Sequence, residues 1–586
     1  MKSKIDKNIA LEGLIRFNYF PNQKSDNCEL PPLFSSESLS LDVLFEAFKT
    51  LDPEEYFSQH YTHGVKYFSS KRNKLRQLSI PEPAAYIKLL KIINDHYDEL
   101  TGNLSGVNQL KLDVQDDGRV FILDYDVEGT RRDETDQRAF GKRYRVHADI
   151  KQCFSSLSCD VAGKAAKSLG VKLDTTFGDV FEVWRDWEKQ GLPVGPGASN
   201  VLSEFILSAV DNELLRLKPF NYYRYIDDYV CFVDGLDEAH EFIANLTVAL
   251  NRIGLSINNE KTRVVELPAP LEPEWMLELY ANIPHLHDDD WYGAKLQRYL
   301  DFALLLSKKH PDQFVMKHAL KCVLNTANLE YDASIFRYFI NLLPFFPELT
   351  PYFSDIYKPA KESLGDASHW KNDINHCLAL YIKEQRSDAM CWMIHWMAKF
   401  DIEIEEGNLE GMIRSYDTMA ILTLYANGIY KEEIIKYANE YCVGNGEDLE
   451  NSWLLLYQLY LDGELVDDSS FEVDAIYKLL SESNVSFINT KHTKEPKSDL
   501  DEYVDKQIER ESNRYINPPE HCDVCLTGLG SQKYFVDGKT KGGHFGCMCE
   551  SCFKEHGEGI GYGLGQLYKR NCKEWVLVAG IESTLA

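Results

Sequence analysis

The chain has 586 residues, 44% of them hydrophobic, and a formal net charge of -29. Domains run to about 100–200 residues, so this length and composition describe a folded protein of several domains and exclude a disordered or fibrous one. No run of about 18 apolar residues occurs, and the start, Met1-Lys-Ser-Lys-Ile-Asp-Lys7, has no apolar stretch behind it, so neither a membrane span nor a signal peptide is expected and the location is read as cytoplasmic.

The acidic balance opposes non-specific binding of phosphate polymers over the whole surface. Acid gathers in Asp288-Asp-Asp290, Glu403-Ile-Glu-Glu406, Glu432-Glu433 and from Asp499 to Glu511. Lys66 to Arg76 and Lys142-Arg143-Tyr144-Arg145 are locally basic. A basic cleft in an acidic body concentrates nucleic acid at one place and discourages it elsewhere.

Tyr144-Arg-Val-His-Ala-Asp149 alternates as a half-buried strand does and ends on an acid. Gly191-Leu-Pro-Val-Gly195-Pro-Gly-Ala-Ser199-Asn opens a loop that runs into an apolar helix, Val201 to Leu217. Next, Tyr222-Tyr223 and Tyr229-Val-Cys-Phe-Val233 flank Tyr225-Ile-Asp227-Asp228, a β-hairpin with two carboxylates at its tip. Nucleotidyl transfer uses two Mg²⁺ ions about 3.5–4 Å apart and needs carboxylates that cannot wander. Taken alone, an Asp-Asp turn is more often merely solvated. Gly254-Leu-Ser-Ile-Asn-Asn-Glu-Lys261-Thr262 is expected to close a further strand on a lysine.

In this order the four segments resemble palm motifs A, B, C and D of the reverse transcriptases. Lys71-Arg72-Asn-Lys74-Leu-Arg76, followed by Ile80-Pro81-Glu-Pro83, resembles the fingers strand of the bacterial members. Coverage is roughly residues 60 to 270. Gly191-Leu-Pro-Val-Gly-Pro196 with Ser203-Glu204 is most similar to the abortive-infection and defence-associated group, where the protein acts against phage. Retroviral and many intron-encoded members carry Gln where this chain has Val194, a departure that removes an amide from the nucleotide's surroundings.

The resemblance implies an RNA-directed DNA polymerase that takes deoxynucleoside triphosphates, an RNA template or non-coding RNA, and makes DNA. Asp149 and Asp227 would then hold two Mg²⁺ ions, with Asp228 supporting them. Arg76 and one of Lys71, Arg72 or Lys74 would neutralise the triphosphate, Val194 and Gly195 would border the nucleotide, and Lys261 would protonate the leaving pyrophosphate. Phe154, five residues after Asp149, stands where the family places a ring beneath the sugar; such a ring excludes a 2′-hydroxyl. Two other readings stay open: an untemplated or protein-primed, terminal-transferase-like DNA polymerase of the same family, and a silent scaffold with a reverse-transcriptase fold. A companion defence protein or self-association also stays open.

Beyond residue 270 the period changes. Trp291 to Ser307, Gln313 to Ala327, Ala333 to Phe345, Asn375 to Glu384, Ser387 to Phe400, Ser415 to Asn427, Lys431 to Tyr441 and Ser452 to Tyr460 carry apolar residues at spacings of three and four, as stacked helices do. The Trp and Met cluster from Met390 to Met397 is expected to be packing. Cys522-Asp-Val-Cys525 and Cys549-Glu-Ser-Cys552 then form two knuckles, which in a reducing compartment imply one structural Zn²⁺ at S–Zn distances of about 2.3 Å. Cys547, His521 and His544 fit that spacing less well. Gly561-Tyr-Gly563-Leu-Gly565 is expected to make tight turns.

The fold expected is α+β: a right-hand polymerase fingers and palm, then an α-helical, solenoid-like domain and a small zinc module. The boundaries read as an extension over 1–60, fingers and palm over 61–270, helices over 271–480, a charged linker over 481–520 and the four-cysteine module over 521–586.

Overall fold

The computed structural model describes residues 30–34, the backbone of strands 64–69, 74–79, 111–112 and 121–122, then 135–170, 191–192, 197–284, 292–325, 333–364, 369–442, 446–467 and 519–580 apart from single positions, with short pieces between 478 and 503. The chain divides into two units, 1–493 and 494–586. Among the described residues no helix is long and apolar enough to cross a membrane.

Two hairpins come first, β1 (Gly64–Ser69) with β2 (Lys74–Ser79), and β3 (Lys111–Leu112) with β4 (Phe121–Ile122). A four-stranded antiparallel sheet follows, built from β5 (Tyr144–Asp149), β6 (Tyr222–Tyr225), β7 (Asp228–Val233) and β8 (Arg263–Glu266) in the order β6-β7-β5-β8. Side chains alternate across a strand, so Val146 and Ala148 point to one face and Arg145, His147 and Asp149 to the other. The first face packs on helices α1 (Cys153–Ser156), α2 (Cys159–Leu169), α3 (Gly197–Leu217) and α4 (Leu236–Ile253). In α4 the buried residues Ala239, Phe242, Leu246, Ala249, Leu250 and Ile253 recur at helical spacing, and Gly254, with φ 94°, ends the helix. Each large apolar side chain so buried contributes roughly 1.5–3 kcal/mol. On the second face Tyr223, Val230 and Phe232 form a smaller cluster with Ala139 and Leu267, and the Tyr223 hydroxyl lies 3.0 Å from Thr135 Oγ1.

Consecutive helices complete this unit: α5 (Glu274–Ala281), α6 (Tyr292–Lys309), α7 (Val315–Asn325), α8 (Ala333–Leu342), α9 (Phe353–Leu364), α10 (His369–Lys383), α11 (Ser387–Lys399), α12 (Glu406–Ser415), α13 (Thr418–Ala426), α14 (Lys431–Tyr437) and α15 (Gly446–Leu461). They share one core. Met390, Trp392, Met393, Trp396 and Met397 are buried in it, with Trp392, Trp396 and Phe400 stacked at 5.3 and 5.9 Å. Hydrogen bonds tie neighbours together: Trp396 Nε1 donates to Thr350 O at 2.9 Å and the Tyr381 hydroxyl to Leu343 O at 2.9 Å. The backbone of β1 lies against α11 and α15.

The second unit holds β9 (Tyr534–Lys539), β10 (Phe545–Cys549), α16 (Glu550–His556), β11 (Gly565–Asn571) and β12 (Glu574–Ala579), with strand order β10-β9-β11-β12. Phe535 stacks on Tyr568 at 5.0 Å and meets the edge of Trp575 at 4.8 Å. A Cβ on Gly580 would lie 2.3 Å from Gly565 O, and one on Gly538 would lie 2.9 Å from Gly565 Cα. The glycine string therefore turns through Gly561 and Gly563 and then seats strands against each other, with β11 directly after it.

Candidate active site

Register brings the acids together. Asp149, last in β5, pairs with Asp228, first in β7, and Asp228 also pairs with Tyr225 at the end of β6. Paired residues share a face, so Tyr225, Asp228 and Asp149 stand side by side across three strands. Asp227 sits beside them in the two-residue turn between β6 and β7. Asp149 is buried, Asp227 half-buried and Asp228 exposed. Burial, then Asp228, then Asp149 push the Asp227 carboxyl up to about 6.

The loop after α4 supplies cover. Ile257 bridges to Ile150, continuing the sheet past Asp149. Asn258 N–H donates to Asp149 O at 2.7 Å, and its side-chain amide donates to Asp149 Oδ2 at 3.1 Å. Lys261 Nζ reaches the same oxygen at 2.7 Å, with its side chain 70% exposed. The strand expected to close on Lys261 begins later, at Arg263, because the Thr262 amide and hydroxyl both bond to Asn258 O and close a turn ahead of it.

Behind the turn lies a buried charge network. Arg224, on β6 and 0% exposed in its side chain, makes a fork on Glu204 at 2.6 and 3.0 Å. It also holds Asp211 through Nε at 2.8 Å, and it donates to Ile226 O at 2.9 Å. Glu204 and Asp211 lie two turns apart on α3, hence on one side of it. Burial drives the Asp211 carboxyl up while Arg224 pulls it down, and the net direction is up.

Phe154 lies on α1, half-buried against the core beneath the sheet. Gln152, with φ 49°, turns the chain out of β5 to start that helix. Leu192 N–H donates to Phe154 O at 2.8 Å, and Gly191, with φ 51°, lies so close that a Cβ would stand 2.3 Å from the same oxygen. The start of the motif B segment is thus fastened to the peptide of Phe154.

Asp149, Asp227, Asp228 and Lys261 are therefore brought together, with Phe154 on the helix that follows β5. Lys71, Arg72, Val194 and Gly195 lie outside the described residues, and of Arg76 only the backbone is described, paired with Tyr67. Sequence reading missed Asn258, Arg224 and Asp211. An arginine inside the otherwise aromatic strand Tyr-Tyr-Arg-Tyr, facing acids seven residues apart on an apolar helix, was the available signal.

A second constellation occupies the C-terminal unit. Ligand atoms of Cys522, Cys525, Cys549 and Cys552 all lie within 4.8 Å of one another, the set of potential metal ligands that converges this tightly among the described residues. Cys549 N–H points at Cys522 Sγ at 3.4 Å, and the Thr527 hydroxyl lies 3.1 Å from Cys525 Sγ. Hydrogen bonds from the Thr527 side chain and backbone, then from Cys552, draw the exposed Cys525 thiol down to about 6. Cys547, His521 and His544 stand outside the set. Four soft sulfur donors in this arrangement suit Zn²⁺ or a comparable thiophilic ion.

Residues 70–276 match the family model for reverse transcriptase (RNA-dependent DNA polymerase). The matched segment carries the acids, the turn and Lys261; it is a reverse transcriptase domain, and the chain is an RNA-directed DNA polymerase, a nucleotidyltransferase. No curated protein matches the chain. Among solved structures, telomerase from Candida albicans in complex with a TWJ fragment of telomeric RNA is similar at 12% identity over 70% of this chain and 67% of that one, with a TM-score of 0.26. Apo telomerase from Candida tropicalis is similar at 13% identity over 72% of this chain and 76% of that one, with a TM-score of 0.28. Both superpositions are loose.

Proposed function

We propose that the chain is a right-hand polymerase that joins deoxynucleotides by two-metal chemistry and serves a bacterial anti-phage system. One observation carries the chemical part: Asp149 and Asp228 face each other in register, with Asp227 on the adjoining turn. Burial, with the Asp228 and Asp149 carboxylates adding to it, raises Asp227 to about 6, and acids so placed favour a shared cation. Asp149 and Asp227 would hold the two Mg²⁺ ions, with Asp228 at their edge. Bound there, the ions would lower the pKa of the primer 3′-hydroxyl and neutralise the triphosphate. Asn258 keeps Asp149 aimed. Lys261, mostly exposed beside Asp149, would give the leaving pyrophosphate its proton. The Phe154 ring discriminates against ribose.

The defence role is supported by the Gly-Leu-Pro-Val-Gly-Pro string followed by Ser203-Glu204. The consecutive helices after residue 274 fit a solenoid-like array in the thumb position, and the four cysteines a structural zinc.

Purified protein incubated with Mg²⁺ and each labelled nucleotide, with and without RNase and then protease, tests the reading. Deoxynucleotide incorporation that RNase abolishes and Asp149→Asn removes supports it. Incorporation that survives RNase and shifts on proteolysis assigns untemplated, protein-primed synthesis instead. No incorporation at all leaves the scaffold.

A further inference from the structure

We propose that Arg224 is a positioning residue for the polymerase reaction: a guanidinium hub that locks the turn carrying Asp227 to helix α3. All five of its N–H groups are placed. The two nitrogens of its fork meet Glu204 Oε1 and Oε2 at 2.6 and 3.0 Å. Nε and Nη2 meet Asp211 Oδ2 at 2.8 and 2.7 Å. The remaining N–H of Nη1 goes to the carbonyl of Ile226 at 2.9 Å. Only an arginine offers five donors in one plane, so lysine cannot serve both acids and the carbonyl together.

The carbonyl it holds belongs to a strained residue. Ile226 has φ 54°, a left-handed conformation that a β-branched side chain rarely adopts. Such a conformation persists only when its surroundings fix it. Asp227 follows directly, so the conformation of Ile226 sets where that carboxylate points. Stability alone is a poor reason for the network, since burying one cation with two acids is commonly no better than apolar packing. Its geometric result is specific: α3, which follows the loop of motif B, and the metal-binding turn move as one piece.

This inference rests on the proposed metal role of Asp227. Kinetics of Arg224→Lys, Glu204→Gln and Ile226→Gly, and of the double variant R224K/I226G, separate the two. In R224K the rate constant kcat should fall at least tenfold while KM for the nucleotide stays within twofold and the Mg²⁺ concentration for half-activity rises severalfold. E204Q should shift the same quantities less. Glycine takes φ 54° without the penalty of a Cβ, so R224K/I226G should regain most of the lost rate, a rescue that simple loss of folding would not give. Wild-type kcat and Mg²⁺ response in folded R224K and E204Q overturn the proposal, as does a double variant no better than R224K. Full activity in Asp227→Asn would instead remove the metal role on which it rests.

Discussion

Lys261 Nζ stands 2.7 Å from Asp149 Oδ2, so the buried acid at the end of β5 has a largely exposed cation on it. The hydrogen bond to Asp149 is the first cause that raises the lysine's pKa. A lysine raised in the folded state contributes stability at all pH values below its unfolded pKa of about 10.4 and loses it only as pH rises through the still higher folded value. The contact is therefore constant across the neutral range, and what it competes with is metal.

Lys261→Met should then bind Mg²⁺ more tightly in the absence of nucleotide, because no ammonium has to leave Asp149. It should also polymerise more slowly, by about 10²-fold or more if the lysine acts as general acid. Calorimetric metal titration alongside single-nucleotide extension reads both. Weaker metal binding in the variant would show that Lys261 helps to build the metal site.

Asp227 sets a pH dependence. Its folded pKa of about 6 exceeds the value of about 3.9 for a free aspartate, so the folded protein holds this proton more tightly than the unfolded chain. Stability should fall as pH rises from about 4 to about 6, with the whole cost present above that. At pH 7 Asp227→Asn should stabilise the metal-free protein by on the order of 2 kcal/mol while abolishing synthesis. Denaturant melts at pH 4 and pH 7 check it: the advantage of the variant should appear at pH 7 and shrink at pH 4. Mg²⁺ affinity of the wild type should weaken below pH 6, since proton and metal share the carboxylate.

The Phe154 peptide and Gly191 make a third test. Phe154→Ala should admit ribonucleotides with little change in deoxynucleotide use, measured as the ratio of kcat/KM for the two sugars. Gly191→Ala places a Cβ 2.3 Å from Phe154 O at a position with φ 51°. Neither strain can be relieved by a rotamer, so stability should drop by more than about 1 kcal/mol and sugar selectivity should change with it. Unchanged selectivity in a folded Gly191→Ala would uncouple the two segments.

What could be read from sequence follows the range of the interaction that fixes it. The hairpin around Asp227 is local, so alternation and a two-residue turn sufficed. That Asp149 lies opposite Asp228 depends on a pairing between distant stretches, which no local pattern encodes. Arg224 reads as a surface residue until α3 brings Glu204 and Asp211 to it. Among the helices, those with a clean apolar stripe were legible, for example Ala333–Leu342, where Ile335, Phe336, Phe339 and Ile340 are buried. Phe353–Leu364 was not, because Pro359 lies inside it, nor was Glu406–Ser415, whose Gly407 and Gly411 imitate a loop. The four cysteines were legible because their spacing in sequence is itself the signature.

Those cysteines make the last prediction. The unit of residues 494–586 has one core, in which Leu529, Val536, Met548, Leu567 and Leu577 pack with Phe535, Tyr568 and Trp575, and Cys522, Cys549 and Cys552 are buried in it, so whatever joins the four sulfurs braces that core. The purified chain should carry one zinc per molecule by elemental analysis, and removal by a strong chelator should expose the four thiols to a thiol reagent. Cys549→Ser should be more damaging than Cys525→Ser, because Cys549 is buried and its amide points at Cys522 Sγ, whereas Cys525 is exposed. Limited proteolysis reads the result, with new cleavage after chelation confined to this unit while fragments of the first unit persist. If the metal-free chain resists protease as well as the loaded one, the sulfur cluster is not what holds the unit together, and the apolar core around Phe535 and Tyr568 suffices.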